Sequence, residues 1–105
     1  MNADAAVLKR VSWRTIGCAL TVSNTLGCGF LEKVYENALA YELRQARLTV
    51  RQQAGVTVRY HGVVAGHYIA DLVIEEAVAV ELKAVRAVDN VHRAQCMNFL
   101  LTRSA

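Results

Sequence analysis

The fold is decided by residues 70–85, which read ADLVIEEAVAVELKAV. Two apolar runs lie on either side of Glu75-Glu76, and this spacing predicts two strands joined by a short hairpin turn. The second strand is expected over about residues 77–84. It is nearly continuous in apolar residues until Glu81 and Lys83, as in strands that are buried on both faces. We therefore expect the second strand of this hairpin to be buried in a small sheet.

Three charged side chains interrupt this apolar hairpin. Glu81 and Lys83 are two residues apart, so on a strand they project from the same face. Asp71 lies on the preceding strand, and hairpin pairing would bring it near Glu81. Burying such charges is costly unless they face a cleft, form a pair or hold a metal. Two adjacent carboxylates repel each other, and a hard divalent cation such as Mg²⁺ or Mn²⁺ relieves that repulsion.

The residues before the hairpin predict two helices and one further strand. Over residues 4–26, apolar and small residues recur at three- and four-residue steps, and Gly27 follows as a C-cap. Good helix formers fill about residues 30–47. The alternation of Val56, Val58 and Tyr60 then indicates a strand that ends at a turn.

The residues after the hairpin predict a last helix over about residues 90–101, with Gln95 on the same side as Val91 and Leu101. The expected order is helix, helix, strand, strand, strand, helix. Such an order in 105 residues indicates a single α/β domain, 1–105.

Composition narrows the class of protein further. Apolar residues make up 54% and charged residues 20%, which favours a globular domain over a disordered chain. No apolar run approaches the roughly 20 residues of a membrane helix, and the N-terminus lacks the apolar core of a secretory signal. The three cysteines are widely spaced and odd in number, which predicts free thiols in a reducing compartment. A cytoplasmic protein is therefore expected. The net charge of +3 is compatible with nucleic acid without requiring it.

Five ordered segments resemble the PD-(D/E)xK nuclease superfamily, whose signature is an aspartate on one strand and (D/E)-x-K on the next. Here these residues are Asp71 and the triplet Glu81-Leu82-Lys83. Residues 29–35, GFLEKVY, fit GxxExxY, the naming motif of a small family in this superfamily. The five segments are LGCGFLEKVYENALAYEL, YHG, ADLVIE, VELKAV and HRAQCMNFL. The resemblance covers nearly the whole chain from about Ile16.

The resemblance implies a restriction-endonuclease-like three-layer core, with a small mixed sheet flanked by helices. Members of the family continue past the last helix into a further strand. Since this sequence ends at Ala105, the last strand of the sheet is expected to be missing. A sheet without that strand exposes an unpaired edge, so a homodimer is also expected.

The resemblance also implies metal-dependent phosphodiester hydrolysis of nucleic acid, with DNA as the expected substrate and Mg²⁺ or Mn²⁺ as the cofactor. Asp71 and Glu81 would ligate the metal together with the backbone carbonyl of Leu82. Lys83 would orient or help deprotonate the attacking water and offset charge on the scissile phosphate. Glu32 would be an additional carboxylate, acting on a metal-bound water or a second metal. Gln95 would be an amide beside the site.

Structural explanations compete with each of these roles. Glu81 and Lys83 could be charges on an exposed edge strand, where they discourage aggregation. Glu32 suits the first turn of a helix, where the helix dipole stabilises an acid. Gln95 could be a helix-surface amide. Two other functions therefore remain open: a non-catalytic nucleic-acid- or protein-binding module that keeps the nuclease fold, and a structural oligomerising subunit.

Overall fold

The computed structural model describes residues 5–88 and 93–104, with two helices followed by four strands. The strands form one antiparallel sheet in the order β1-β2-β3-β4. The α/β class predicted from the sequence is confirmed. The elements are α1 (Ala5–Leu26), α2 (Glu32–Gln45), β1 (Val50–Tyr60), β2 (Val63–Ile74), β3 (Val78–Val88) and β4 (Arg93–Arg103).

Both of these helices pack on one face of the sheet. The stripe predicted for α1 is the buried one, since Val11, Ala19 and Val22 are at most 2% exposed. They join Leu39 and Leu43 of α2 in a core that continues onto β2 and β3. Within the described residues, neither helix is long and apolar enough to cross a membrane.

A tyrosine fixes the loop that joins the two helices. Gly27 ends α1 with a positive φ of 66°, a conformation that glycine adopts without strain. The hydroxyl of Tyr35 donates to the Gly27 carbonyl at 2.8 Å and accepts from the Phe30 N–H at 3.3 Å. Because Tyr35 is only 1% exposed, it anchors this loop and the start of α2 to the core.

The central hairpin is paired over a short length only. β2 and β3 share three partner pairs, Leu72↔Val80, Val73↔Ala79 and Ile74↔Val78, next to the turn at Glu75-Glu76. In contrast, β1 follows β2 over almost its full length, and β3 pairs with β4 as far as Val88. The β1–β2 and β3–β4 hairpins therefore separate from each other directly after Leu72↔Val80.

The predicted last helix over residues 90–101 is wrong, because the residues described there belong to β4. Met97, Phe99 and Leu101 alternate toward the core, so a period of two prevails over the helical spacing that the sequence also permitted. Part of the predicted helix, residues 89–92, lies outside the described residues.

The structure corrects three details of the expected architecture. The sheet is antiparallel throughout its described pairs, where a mixed sheet was expected. The fourth strand is present, formed by residues that were assigned to a helix. The described helices pack on one face, where flanking helices were expected, because their apolar stripes meet each other and the same side of the sheet.

The cysteines also depart from the prediction of free thiols. Cys28, in the loop between the helices, forms a disulfide with Cys96 of β4 across 68 residues of sequence. Spacing along the chain does not reveal such a pair, since the fold brings the loop to the strand. Cys18 of α1 remains a free thiol.

Candidate metal centre

The candidate site lies where β2 and β3 stop pairing. The β2–β3 pair farthest from the turn is Leu72↔Val80. Asp71 directly precedes Leu72 on β2, and Glu81 directly follows Val80 on β3. The Leu82 N–H, which would continue the ladder, donates instead to Oδ2 of Asp71 at 2.7 Å. A side chain thus replaces a backbone acceptor, and the two strands separate around it.

The second oxygen of Asp71 is also held. The side-chain amide of Gln53 on β1 donates from Nε2 to Oδ1 of Asp71 at 3.2 Å. With one donor on each oxygen, the orientation of this half-buried carboxylate is fixed from two neighbouring strands.

The Glu81 carboxyl lies against Asp71, and its titration reflects that position. Partial burial raises the pKa of Glu81, and the negative charge of Asp71 and a hydrogen bond with it raise the pKa further. The Lys83 charge acts in the opposite direction. It is therefore unfavourable for Glu81 to be ionised beside the charge of Asp71. A cation bound between the two carboxylates would remove that cost.

The Leu82 carbonyl adds a third oxygen-bearing group to the two carboxylates. In an antiparallel strand the N–H and C=O of one residue point to the same side. Since the Leu82 N–H points to Asp71, its carbonyl faces the same gap between β2 and β3. Carboxylate and carbonyl oxygens are the ligands of hard divalent cations, so the residues present fit Mg²⁺ or Mn²⁺.

Among the described residues, no group of three or more His, Cys, Asp or Glu side chains could hold a metal ion. A cation in this gap would therefore depend on two carboxylates, a backbone oxygen and water. Mg²⁺ is commonly bound in this way, because it keeps several waters and needs few protein ligands.

Lys83 follows Glu81 on the same face of β3 and is exposed. It is paired with Asn98 of β4. Although β3 lies between β2 and β4 in the sheet, it pairs only with β4 beyond Val80. The explanation of Glu81 and Lys83 as charges on an exposed strand edge therefore stays an alternative.

Among the described side chains, that of Glu32 is not brought into contact with the carboxylate pair. Glu32 lies exposed in the first turn of α2 and has no hydrogen bond or ion pair to any residue that the structure describes. Gln95 lies on β4 opposite Arg86, and its side chain is outside the described part of the chain. Its predicted position on a helix is wrong, since this segment is a strand.

Sequence reasoning missed Glu36, a buried carboxylate one turn after Glu32. Glu36 is 3% exposed and accepts hydrogen bonds from Lys33 at 3.0 Å and from Gln52 and Gln53 at 2.7 Å each. A buried acid needs a specific partner, but the burial of Glu36 follows from the packing of α2 and not from a local sequence pattern.

A groove of about 640 Å³ lies beside the acids. Glu81 and Lys83 line this groove, and the Tyr68 hydroxyl is 3.4 Å from Oγ1 of Thr102. The groove combines cationic, aromatic and hydroxyl groups next to the carboxylate pair. Its lining residues are Val58, Tyr68, Glu81, Lys83, Leu100, Thr102 and Arg103.

The described part of the chain is an α/β domain in which Asp71, Glu81 and Lys83 lie where the central strands separate. The sequence model of the PD-(D/E)XK nuclease superfamily matches residues 9–105, and the chain belongs to this superfamily. This confirms the predicted superfamily and fold class, and it supports a nuclease-like function. Comparison with curated proteins and with solved structures gave no match. Membership of the narrower GxxExxY family stays a prediction.

Proposed function

We propose that this protein hydrolyses phosphodiester bonds of nucleic acid, with DNA as the expected substrate and Mg²⁺ or Mn²⁺ as the cofactor. The observation that supports this most is the Asp71–Glu81 pair at the end of the β2–β3 ladder, where partial burial and the charge of Asp71 raise the pKa of Glu81. In a protein without a ligand such repulsion is a cost, and sites with this feature are often functional.

Asp71, Glu81 and the Leu82 carbonyl are the proposed metal ligands. Bound there, the divalent cation would polarise the phosphate and acidify a water. The donors on both Asp71 oxygens hold that carboxylate in one orientation, so little reorganisation is needed on binding. Partial burial and Asp71 disfavour the charge of Glu81, and the bound ion would favour it.

Lys83 is the proposed group for the water and the scissile phosphate. Its ammonium lies on the same face as Glu81, so it can hold the attacking water, assist its deprotonation and offset negative charge on the phosphate. A cation fixed beside the reacting phosphate stabilises the transition state more than the ground state, because charge accumulates during attack.

Glu32 and Gln95 keep their proposed roles as further polar groups of the site. Glu32 lies four residues before Glu36 and hence on the same face of α2. Gln53 links Glu36 to the site, because its amide donates to both Glu36 and Asp71. Replacing Glu32 by Gln should lower turnover with unchanged folding. Unchanged turnover in Glu32→Gln would instead favour its role as a helix-terminal acid.

The groove beside the acids is the proposed substrate site. Lys83 and Arg103 suit backbone phosphates, and Tyr68 offers a surface for a base. The substitution Tyr68→Ala should weaken binding of a single-stranded oligonucleotide several-fold. Arg103→Ala should weaken it with a reduced dependence on salt, because one phosphate contact is lost.

The experiment that tests the proposal is a cleavage assay with single- and double-stranded DNA and RNA, in Mg²⁺, in Mn²⁺ and in chelator. Wild type should cleave at least one substrate only when metal is present, and Asp71→Ala should not. Glu42→Gln, a change of an acid on α2 away from the site, serves as the matched control and should retain activity. Nucleic-acid binding without cleavage would favour the non-catalytic module.

Self-association is a separate proposal. Apolar side chains are exposed along the outer half of the β1–β2 hairpin, and burying them in a two-fold dimer would remove them from water. Sedimentation at micromolar concentration tests this, and Tyr60→Lys should shift the distribution toward monomer. A monomer of 11.5 kDa in the wild type would contradict it. The exposed residues are Val58, Tyr60, Val63, Val64 and Ile69.

A further inference from the structure

Two adjacent glutamines on β1 both bind Glu36, but only one of them reaches the candidate metal centre. Gln53 donates from Nε2 to Oε1 of Glu36 at 2.7 Å and to Oδ1 of Asp71 at 3.2 Å. Gln52 donates from Nε2 to Oε2 of Glu36 at 2.7 Å and to Oδ1 of Asn37 at 2.9 Å. The Gln53 amide thus connects two carboxylates that belong to α2 and β2.

The backbone of β1 is distorted at this point. Successive side chains of a regular strand point to opposite faces, so neighbouring residues should not bind the same carboxylate. Gln53 has a φ of +51°, in the left-handed region that residues other than glycine rarely adopt. This conformation accompanies the shared bond to Glu36, and such deviations cluster at functional positions.

The chemistry of the amide suits this position. A glutamine NH₂ has two N–H donors. Here the Gln53 amide donates to the Glu36 carboxylate and to the Asp71 carboxylate. Glu36 is itself fixed, because it is buried and holds Lys33 and Gln52 as well. Every buried side-chain polar atom among the described residues has a hydrogen-bond partner, so Glu36 is fully satisfied.

We propose that Glu36 and Gln53 are positioning residues for Asp71. The buried carboxylate on α2 fixes the Gln53 amide, and this amide fixes the orientation in which Asp71 meets a divalent cation. The inference rests on the proposed function, since it assigns Asp71 as a metal ligand. Glu36 and Gln53 touch neither metal nor substrate in this account. Partners that orient a ligand typically change metal affinity by about 10–100-fold when they are removed.

The test compares Gln53→Met with Gln52→Met in the full chain. Methionine has a similar length but no N–H donor, so each variant removes one glutamine's bonds to Glu36. Mn²⁺ affinity, measured by electron paramagnetic resonance, should fall about 10-fold in Gln53→Met. We expect the low end of the range because Gln53 is exposed. Gln52→Met should change the Mn²⁺ affinity less than about 2-fold, since Gln52 does not reach Asp71.

A second measurement needs no metal. The Leu82 amide donates to the other Asp71 oxygen, so a loosened Asp71 should speed hydrogen exchange at that amide. Exchange at Leu82 should rise in Gln53→Met and in Gln53→Ala, and it should stay unchanged in Gln52→Met.

The outcomes separate the two proposals. Mn²⁺ binding by the wild type without cleavage would overturn hydrolysis and leave the positioning role supported by the variant comparison. If the wild type cleaves nucleic acid and Gln53→Met binds Mn²⁺ as tightly as the wild type does, only the positioning role is overturned. Equal losses in Gln52→Met and Gln53→Met would overturn it as well, because both would then act only by holding α2 to β1.

Discussion

The two ends of the β2–β3 hairpin carry the same residue types and use them in opposite ways. At the turn, Glu75 accepts hydrogen bonds from the N–H and hydroxyl of Thr49 at 2.6 and 2.7 Å, and these bonds lower its pKa. At the other end, Glu81 meets Asp71, and burial with that second charge raises the pKa of Glu81. The bonds to Glu75 stabilise the fold, whereas the repulsion between Glu81 and Asp71 is a cost that the proposed cation would remove.

Between these ends lies the apolar part of the hairpin. Leu72, Ile74 and Val80 are fully buried in the core against the helices. This part fixes where β2 and β3 begin to separate. The comparison therefore predicts that substitutions at the separating end change function, and that substitutions in the paired part or at the turn change stability.

The largest effect is expected for Lys83→Ala. Turnover should fall by about 100–1000-fold, because one group that assists the water and offsets phosphate charge is removed. Mn²⁺ affinity and the unfolding midpoint should stay close to wild type, since Lys83 is exposed. Lys9→Ala, an exposed lysine on α1, is the control. Steady-state cleavage kinetics measure the difference, and wild-type turnover in Lys83→Ala would remove this residue from the mechanism.

The paired part should respond through stability. Leu72→Ala removes a fully buried side chain and should lower the free energy of unfolding by about 2–5 kcal/mol. Leu100→Ala is the matched control, because Leu100 is 60% exposed, and it should cost under about 1 kcal/mol. Chemical denaturation checks both variants. A similar loss of unfolding free energy in Leu72→Ala and Leu100→Ala would show that Leu72 does not lie in the core.

The turn should contribute a smaller, pH-dependent amount. Glu75→Ala loses two hydrogen bonds to a charged, partly exposed carboxylate and should cost about 1 kcal/mol near neutral pH. Because the pKa of Glu75 is lower in the folded state, its stabilisation is present above the unfolded pKa and disappears as pH falls through the folded pKa. The two stability curves should therefore converge in acid. A difference that stays constant across that range would contradict this linkage.

The smallest effect has the opposite sign. In chelator, Glu81→Gln should stabilise the protein by about 0.5 kcal/mol at neutral pH, because it removes repulsion with Asp71 across the strands. The folded pKa of Glu81 is raised, so its unfavourable contribution is absent below the unfolded pKa and grows as pH rises through the folded pKa. Thermal melts at several pH values measure this. A destabilised Glu81→Gln would mean that no repulsion is present.

The sequence was informative where local pattern and tertiary packing agree. The stripe of α1, the strand at Val56 and the turn at Glu75-Glu76 were all predicted from periodicity and turn residues. The C-terminal segment was assigned to a helix, because Val91, Ala94 and Leu101 fit helical spacing while Met97 and Phe99 also fit alternation. Packing against the core selects the strand, and a single sequence does not contain that information directly.

The site was predictable only in part for the same reason. Asp71, Glu81 and Lys83 were visible because charges interrupt apolar strands. Glu36 and Gln53 depend on a contact between α2 and β1 and on an unusual backbone conformation at Gln53. The Cys28–Cys96 pair likewise depends on three-dimensional contact. None of these has a local signature strong enough to select it.

The most direct test of the account is a Mn²⁺ titration of wild type, Asp71→Ala and Glu81→Ala, with Glu76→Ala as the control from the turn end. The account predicts one Mn²⁺ site in the wild type and in Glu76→Ala, and its loss in both site variants. The folded state of each variant is checked by circular dichroism. Mn²⁺ binding that is unchanged in Asp71→Ala and Glu81→Ala would contradict the assignment of the separating end of the hairpin as a metal centre.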